Sequence, residues 1–106
     1  MNISSVDLKQ QLSGKSSVNI IDVREELEYH TFNIGGENIP LGKLPAMIDE
    51  LNYEKMDEIV VLCQHGLRSE TARKLLAAAG FINVRNLNGG LMAYVNRAAA
   101  DGISHY

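Results

Sequence analysis

The stretch Glu58-Ile59-Val60-Val61-Leu62-Cys63-Gln64-His65-Gly66-Leu67-Arg68-Ser69, with the alanine-rich run that follows it to Gly80, decides the fold. Ile59 to Leu62 are apolar without alternation, the pattern of a strand buried on both faces. Residues 63–68 read as a loop, and residues 69–79 as a helix of strong helix formers closed by a glycine. Upstream, residues 18–23 are β-branched and largely apolar, which predicts a second buried strand. Residues 25–30 are helix-prone until Asn33-Ile34-Gly35-Gly36 interrupts them, and Asn38-Ile39-Pro40 is a short extended piece, because proline biases its neighbour toward β geometry. Residues 44–51 predict a helix, with Pro45 in its first turn and Leu44, Met47, Ile48 and Leu51 at helical spacing. Nearer the start, residues 5–12 predict a short helix capped by Ser4 or Ser5. Downstream, residues 84–87 predict a strand, Asn88-Gly89-Gly90 a turn, and residues 91–100 a last helix stopped at Asp101-Gly102. Strands alternating with helices give the α/β class, a parallel sheet with helices on both faces.

A chain of 106 residues suits one domain, with its core expected over about residues 4–100 and a short tail at 101–106. Ten Lys and Arg against thirteen Asp and Glu leave a net charge of −3, which offers no electrostatic footprint for nucleic acid or anionic lipid. No apolar run approaches the ~18 residues of a membrane span, and residues 1–10 lack a secretory apolar core, so the expected setting is the cytoplasm. Asn2-Ile3-Ser4 fits a glycosylation pattern that means nothing without export. One cysteine forms no internal disulfide, and one Cys with three scattered His has no metal-ligand spacing, so neither a metal nor a cofactor is expected. Gly14-Lys15-Ser16 lacks the first glycine of a P-loop and precedes a strand instead of following one.

In open parallel sheets, sites gather beyond the C-terminal ends of the strands. Asp22-Val23-Arg24 and the loop Cys63 to Ser69 both fall there. From the Val-Val-Leu-Cys run alone, Cys63 reads equally well as a small buried hydrophobe. The loop tips the balance toward a reactive thiol. The unpaired amides and positive dipole end of the following helix stabilise a thiolate, Gly66 lets the loop curl around sulfur, and Arg68 adds a permanent charge to brace loop carbonyls or meet an anion. Cysteine nucleophiles also head a phosphatase signature in which five residues separate Cys from Arg. Here four, Gln64 to Leu67, separate Cys63 from Arg68. The ring is one residue short of room for three phosphate oxygens and suits one added sulfur atom. His65 reads first as an exposed loop histidine and second as a local base, while His30 and His105 read as surface residues. Glu70 and Lys74 predict an exposed helix pair, and Met47, Met56 and Met92 predict core filler.

These residues carry a resemblance. Asp22-Val23-Arg24-Glu25, Glu28-Tyr29, Asn38-Ile39-Pro40, Cys63-Gln64-His65-Gly66-Leu67-Arg68-Ser69, Leu87-Asn88-Gly89-Gly90 and Ala93-Tyr94 closely resemble the rhodanese-like, single-domain sulfurtransferases, in order and spacing, from about Ser4 to Arg97. The resemblance implies a three-layer domain with a five-stranded parallel sheet and a cysteine that cycles between thiolate and persulfide. Carried over, Cys63 is the sulfur carrier, Gln64, His65, Gly66, Leu67, Arg68 and Ser69 form the cradle with Arg68 anchoring it, and Asp22, Arg24, Gly89 and Gly90 support it. The implied partners are a small anionic sulfur donor such as thiosulfate and an acceptor that is cyanide, a small thiol or a protein thiol. The chain departs from the family pattern at Phe32-Asn33-Ile34, where Gly-His-Ile is usual, at Gly35 for proline, at Tyr94 for tryptophan and at Gln64 for a basic or bulky residue. Inactive interaction modules share this family pattern but commonly lack the cysteine. A phosphatase or arsenate reductase on the same scaffold is the third reading, and the short loop opposes it.

Overall fold

The computed structural model describes residues 1–14 and 17–101, with side chains as far as residue 96. The expected helix stop at Gly102, the tail beyond Asp101 and His105 therefore lie outside the described residues. Five parallel strands form one sheet in the order β1-β5-β4-β2-β3. They are β1 (Asn2–Ile3), β2 (Asn19–Asp22), β3 (Glu37–Asn38), β4 (Ile59–Leu62) and β5 (Val84–Leu87). The helices are α1 (Ser5–Ser13), α2 (Glu26–Thr31), α3 (Leu44–Met47), α4 (Leu67–Ala78) and α5 (Gly90–Asp101).

Strand alternation divides the core into two layers. Ile59 and Val61 of β4 face one side with Ile21, packing against Leu44 of α3 and Ala72 and Leu76 of α4. Val60 and Leu62 face the other side with Ile20, against Leu8 of α1 and Leu91 of α5. All four β4 side chains are fully buried, as their unbroken apolar run requires. Each contributes roughly 1.5–3 kcal/mol by leaving water, which makes β4 the rigid floor of whatever stands at its end.

Several local expectations hold in detail and several shift. Ser4 caps α1, its hydroxyl accepting from the Asp7 amide at 3.0 Å. The helix expected over 44–51 breaks after Met47 into a 3-10 turn, Ile48–Glu50. Met47, Ile48 and Leu51 still reach the core, because apolar residues three and four apart face one side of either helix type. The helix after the thiol begins two residues earlier than expected, at Leu67, with Gly66 as its cap. β1 was not expected at all; its two residues pair with Asn86 and Leu87. Met56 and Met92 are exposed and fill no core, while Met47 packs against it.

Candidate active site

Cys63 follows β4 directly and shares the α4 face of the sheet with Ile59 and Val61. Only 1% of the residue is exposed. Gly66 takes φ +98°, in the left-handed region where a side chain is strained, and this turns its amide back onto the sulfur at 3.1 Å. On α4, Ser69, Ala72 and Leu76 form the buried stripe. That spacing brings Ser69 over the sulfur, its amide at 3.3 Å from Sγ and its Oγ at 3.2 Å. Burial pushes the Cys63 thiol up, but the hydrogen bonds that the Ser69 hydroxyl and the Ser69, Gly66 and His65 amides can give to a thiolate outweigh it and hold the thiol below its ordinary range.

The loop is held from behind by the start of α5. The Leu91 amide donates to the Cys63 carbonyl at 2.9 Å and the Met92 amide to the Gln64 carbonyl at 3.0 Å. This approach requires Gly90, because a Cβ there would stand 2.5 Å from the Gln64 carbonyl oxygen. Gly89 precedes it in the turn, and its carbonyl accepts from the Ala93 amide at 3.3 Å. Both glycines thus lie against the thiol loop.

Arg68 does not brace the loop carbonyls, as the sequence suggested it could. Its guanidinium grips the Glu28 carboxylate of α2 in a fork, at 2.7 and 3.0 Å. This hydrogen bonding holds the Glu28 carboxyl down to about 2. Both side chains are 36% exposed, so the pair is open to solvent. At the end of β2, Asp22 and Arg24 form a buried pair at 2.8 Å, and Arg24 also donates to the carbonyls of Glu28 and Phe32. Arg24 therefore fixes the C-terminal turn of α2, and through it the helix that carries Glu28. His65 and Leu67 are exposed. Gln64 lines an open cleft of about 590 Å³ with Leu27, Thr31 and Phe32. A larger depression, about 690 Å³, lies between the start of α1 and α5, away from the thiol. The helix pair expected between Glu70 and Lys74 is instead Glu70 with Arg73, whose guanidinium meets both carboxylate oxygens, at 2.9 and 2.7 Å. Among the described residues, no cluster of His, Cys, Asp and Glu could hold a metal ion.

Two residues escaped the sequence reading. Glu28 entered only as part of a motif, and nothing local announced a partner forty residues away. Asn86 was read as ordinary strand, yet its Oδ1 lies 2.5 Å from Ser69 Oγ and its Nδ2 donates to the Gly66 carbonyl at 3.0 Å. The available signal was an amide two residues after Val84 on the buried face of a strand, where a polar group needs a partner.

The chain is similar to several known proteins. The family model described as Rhodanese-like domain matches residues 4–97. YrkF of Bacillus subtilis, named as a sulfur carrier protein, is 38% identical over 90% of this chain and 51% of its own length. YtwF of the same organism, named as a sulfurtransferase, is 34% identical over 87% of each chain. The structure of human single-domain sulfurtransferase TSTD1 superposes with a TM-score of 0.79 at 25% identity, covering 91% of this chain and 96% of that one. The chain thus spans about half of YrkF, and it spans 34% of a tRNA uridine(34) hydroxylase of Buchnera aphidicola at 29% identity.

Proposed function

The chain belongs to the rhodanese-like domain family, and from that premise we propose that it moves one sulfane sulfur at a time through a persulfide of Cys63. The observation that carries the reading is the ring of donors, the Gly66 and Ser69 amides at 3.1 and 3.3 Å, converging on the only thiol in the chain. The Cys63 thiolate attacks the outer sulfur of a donor such as thiosulfate. The donor's S–S bond breaks, sulfite leaves with the electron pair, and Cys63 holds the added sulfur. An acceptor thiol or cyanide then attacks that terminal sulfur and restores the thiolate. Fixed amide dipoles stabilise negative charge on sulfur in each step without reorganising.

The short ring favours this reading over phosphoryl chemistry, since four residues separate Cys63 from Arg68 and the Gly66 and Ser69 amides sit close around one atom. Arg68 meets an anionic donor through its exposed side while Glu28 holds its fork. The cleft beside Gln64, lined by Leu27 and Phe32, gives an acceptor a partly apolar approach to the loop. A reducing cytoplasm would keep the lone thiol available. The test is initial-rate kinetics with thiosulfate and cyanide. Parallel double-reciprocal lines, and loss of turnover in Cys63→Ser, are expected. Intersecting lines with turnover retained in Cys63→Ser would refute the scheme, as would hydrolysis of a phosphate ester in place of sulfur transfer.

A further inference from the structure

Asn86 has no part in the steps above, yet it stands one hydrogen bond behind the reacting sulfur's neighbour. It lies in β5 with 6% of its surface exposed and shares the face of Val84, under the start of α4. Its partners fix which way the amide points. Nδ2 donates to the Gly66 carbonyl at 3.0 Å and lies 3.5 Å from Glu70 Oε1, so Oδ1 is the atom facing Ser69 Oγ at 2.5 Å. An amide oxygen has no proton to give, so at that distance the Ser69 hydroxyl donates.

A hydroxyl carries a single proton. While Asn86 holds it, Ser69 offers the sulfur only lone pairs, and the 3.2 Å contact suits a neutral thiol donating to Oγ. A thiolate needs the reverse, with the Ser69 proton turned onto sulfur and the Asn86 oxygen left facing a lone pair in a buried place. The Gly66 and Ser69 amides donate to sulfur in either state, so the Ser69 hydroxyl is the adjustable member of the ring.

We propose that Asn86 is a positioning residue which, by competing with the sulfur for the Ser69 hydroxyl proton, sets the protonation state of Cys63. On ionisation the thiol proton passes to solvent and the Ser69 proton turns from Oδ1 to Sγ, with no other bond made or broken. The inference rests on Cys63 being the reacting group but not on which sulfur compound it meets. The charged groups around the network are Arg68 and Glu70 of α4, Glu28 of α2, and the Asp22–Arg24 pair at the end of β2. Arg68 is paired with Glu28, Glu70 with Arg73, and Asp22 with Arg24. His65, in the loop itself, turns its exposed side chain to solvent.

The test is a titration of Cys63 by the ultraviolet absorbance of its thiolate, read against Cys63→Ser, in four proteins: wild type, Asn86→Leu, Ser69→Ala and the double variant. One cysteine makes the signal unambiguous. Freed of its competitor, Ser69 donates to the sulfur, and Asn86→Leu is expected to lower the midpoint by roughly half to one pH unit. In the Ser69→Ala background the same substitution is expected to leave the midpoint in place. An unchanged or raised midpoint in Asn86→Leu overturns the proposal. So does an equal fall in both backgrounds, which would make the effect independent of Ser69. Should leucine prevent folding, Asn86→Ala carries the same predictions. No sulfur donor enters this experiment, so a protein that titrates as expected but forms no persulfide would refute the sulfur-transfer reading alone.

Discussion

At the end of β2, Arg24 is 3% exposed and gives its donors to Asp22 and to the carbonyls of Glu28 in α2 and Phe32 just beyond it. One strand over, at the end of β4, Arg68 is 36% exposed and holds a single carboxylate, while the amides beside it converge on a thiol. The strand ends are neighbours in one parallel sheet, with Asp22 in register with Leu62. The buried charge at the first is tolerable because every strong donor is answered from within the protein. The second leaves donors aimed at the atom whose charge changes in the proposed transfer. One end is a lock, and the other is a seat for chemistry that the lock keeps in place by fixing α2.

The two ends should break differently. Cys63→Ser has the largest expected effect on chemistry, with transfer lost while urea unfolding shifts by less than about 1 kcal/mol. Comparable losses of stability and activity would erase the distinction. Arg24→Met should do the opposite, leaving Asp22 buried and unpaired at a cost of about 3–5 kcal/mol in urea unfolding, with a smaller loss of activity in the protein that stays folded. Arg68→Ala should fall between them, raising the donor KM by about tenfold through loss of one charged contact, with little change in unfolding. An unchanged KM would remove Arg68 from donor recognition.

The smallest effect is on pH dependence. The Glu28 carboxyl is held at about 2 against an ordinary 4.5. A depressed carboxyl contributes stability that is complete above 4.5 and lost as pH falls from there toward 2. Because both partners are partly exposed, the loss of stability with acid should be slight, and it should vanish in Glu28→Gln. A steep loss in that window that survives Glu28→Gln would place the acid-sensitive group elsewhere. The lowered thiol predicts activity that rises with pH and levels off below the ordinary cysteine value of 9.0.

What the sequence made legible follows from range. The β4 run, the glycine loop and the alanine-rich α4 are local patterns, and they located the thiol at a strand end before a helix. β1 is two residues long and has no period to read. The Glu28–Arg68 fork joins residues forty apart, and only the packing of α2 on the loop brings them together. Asn86 needed two alternations read at once, the face of β5 shared with Val84 and the stripe of α4 shared by Ser69, Ala72 and Leu76. The break after Met47 left no trace because α and 3-10 turns bury the same apolar positions.

The proposed transfer requires the amide ring to seat one sulfur atom on Cys63. Intact-protein mass spectrometry tests it most directly, on freshly reduced, folded protein incubated with thiosulfate and then with cyanide. A gain of one sulfur atom is expected, mapped to Cys63, absent in Cys63→Ser and removed by cyanide. Folded protein that titrates as a thiolate yet gains no sulfur from thiosulfate or from a small-molecule persulfide would contradict it.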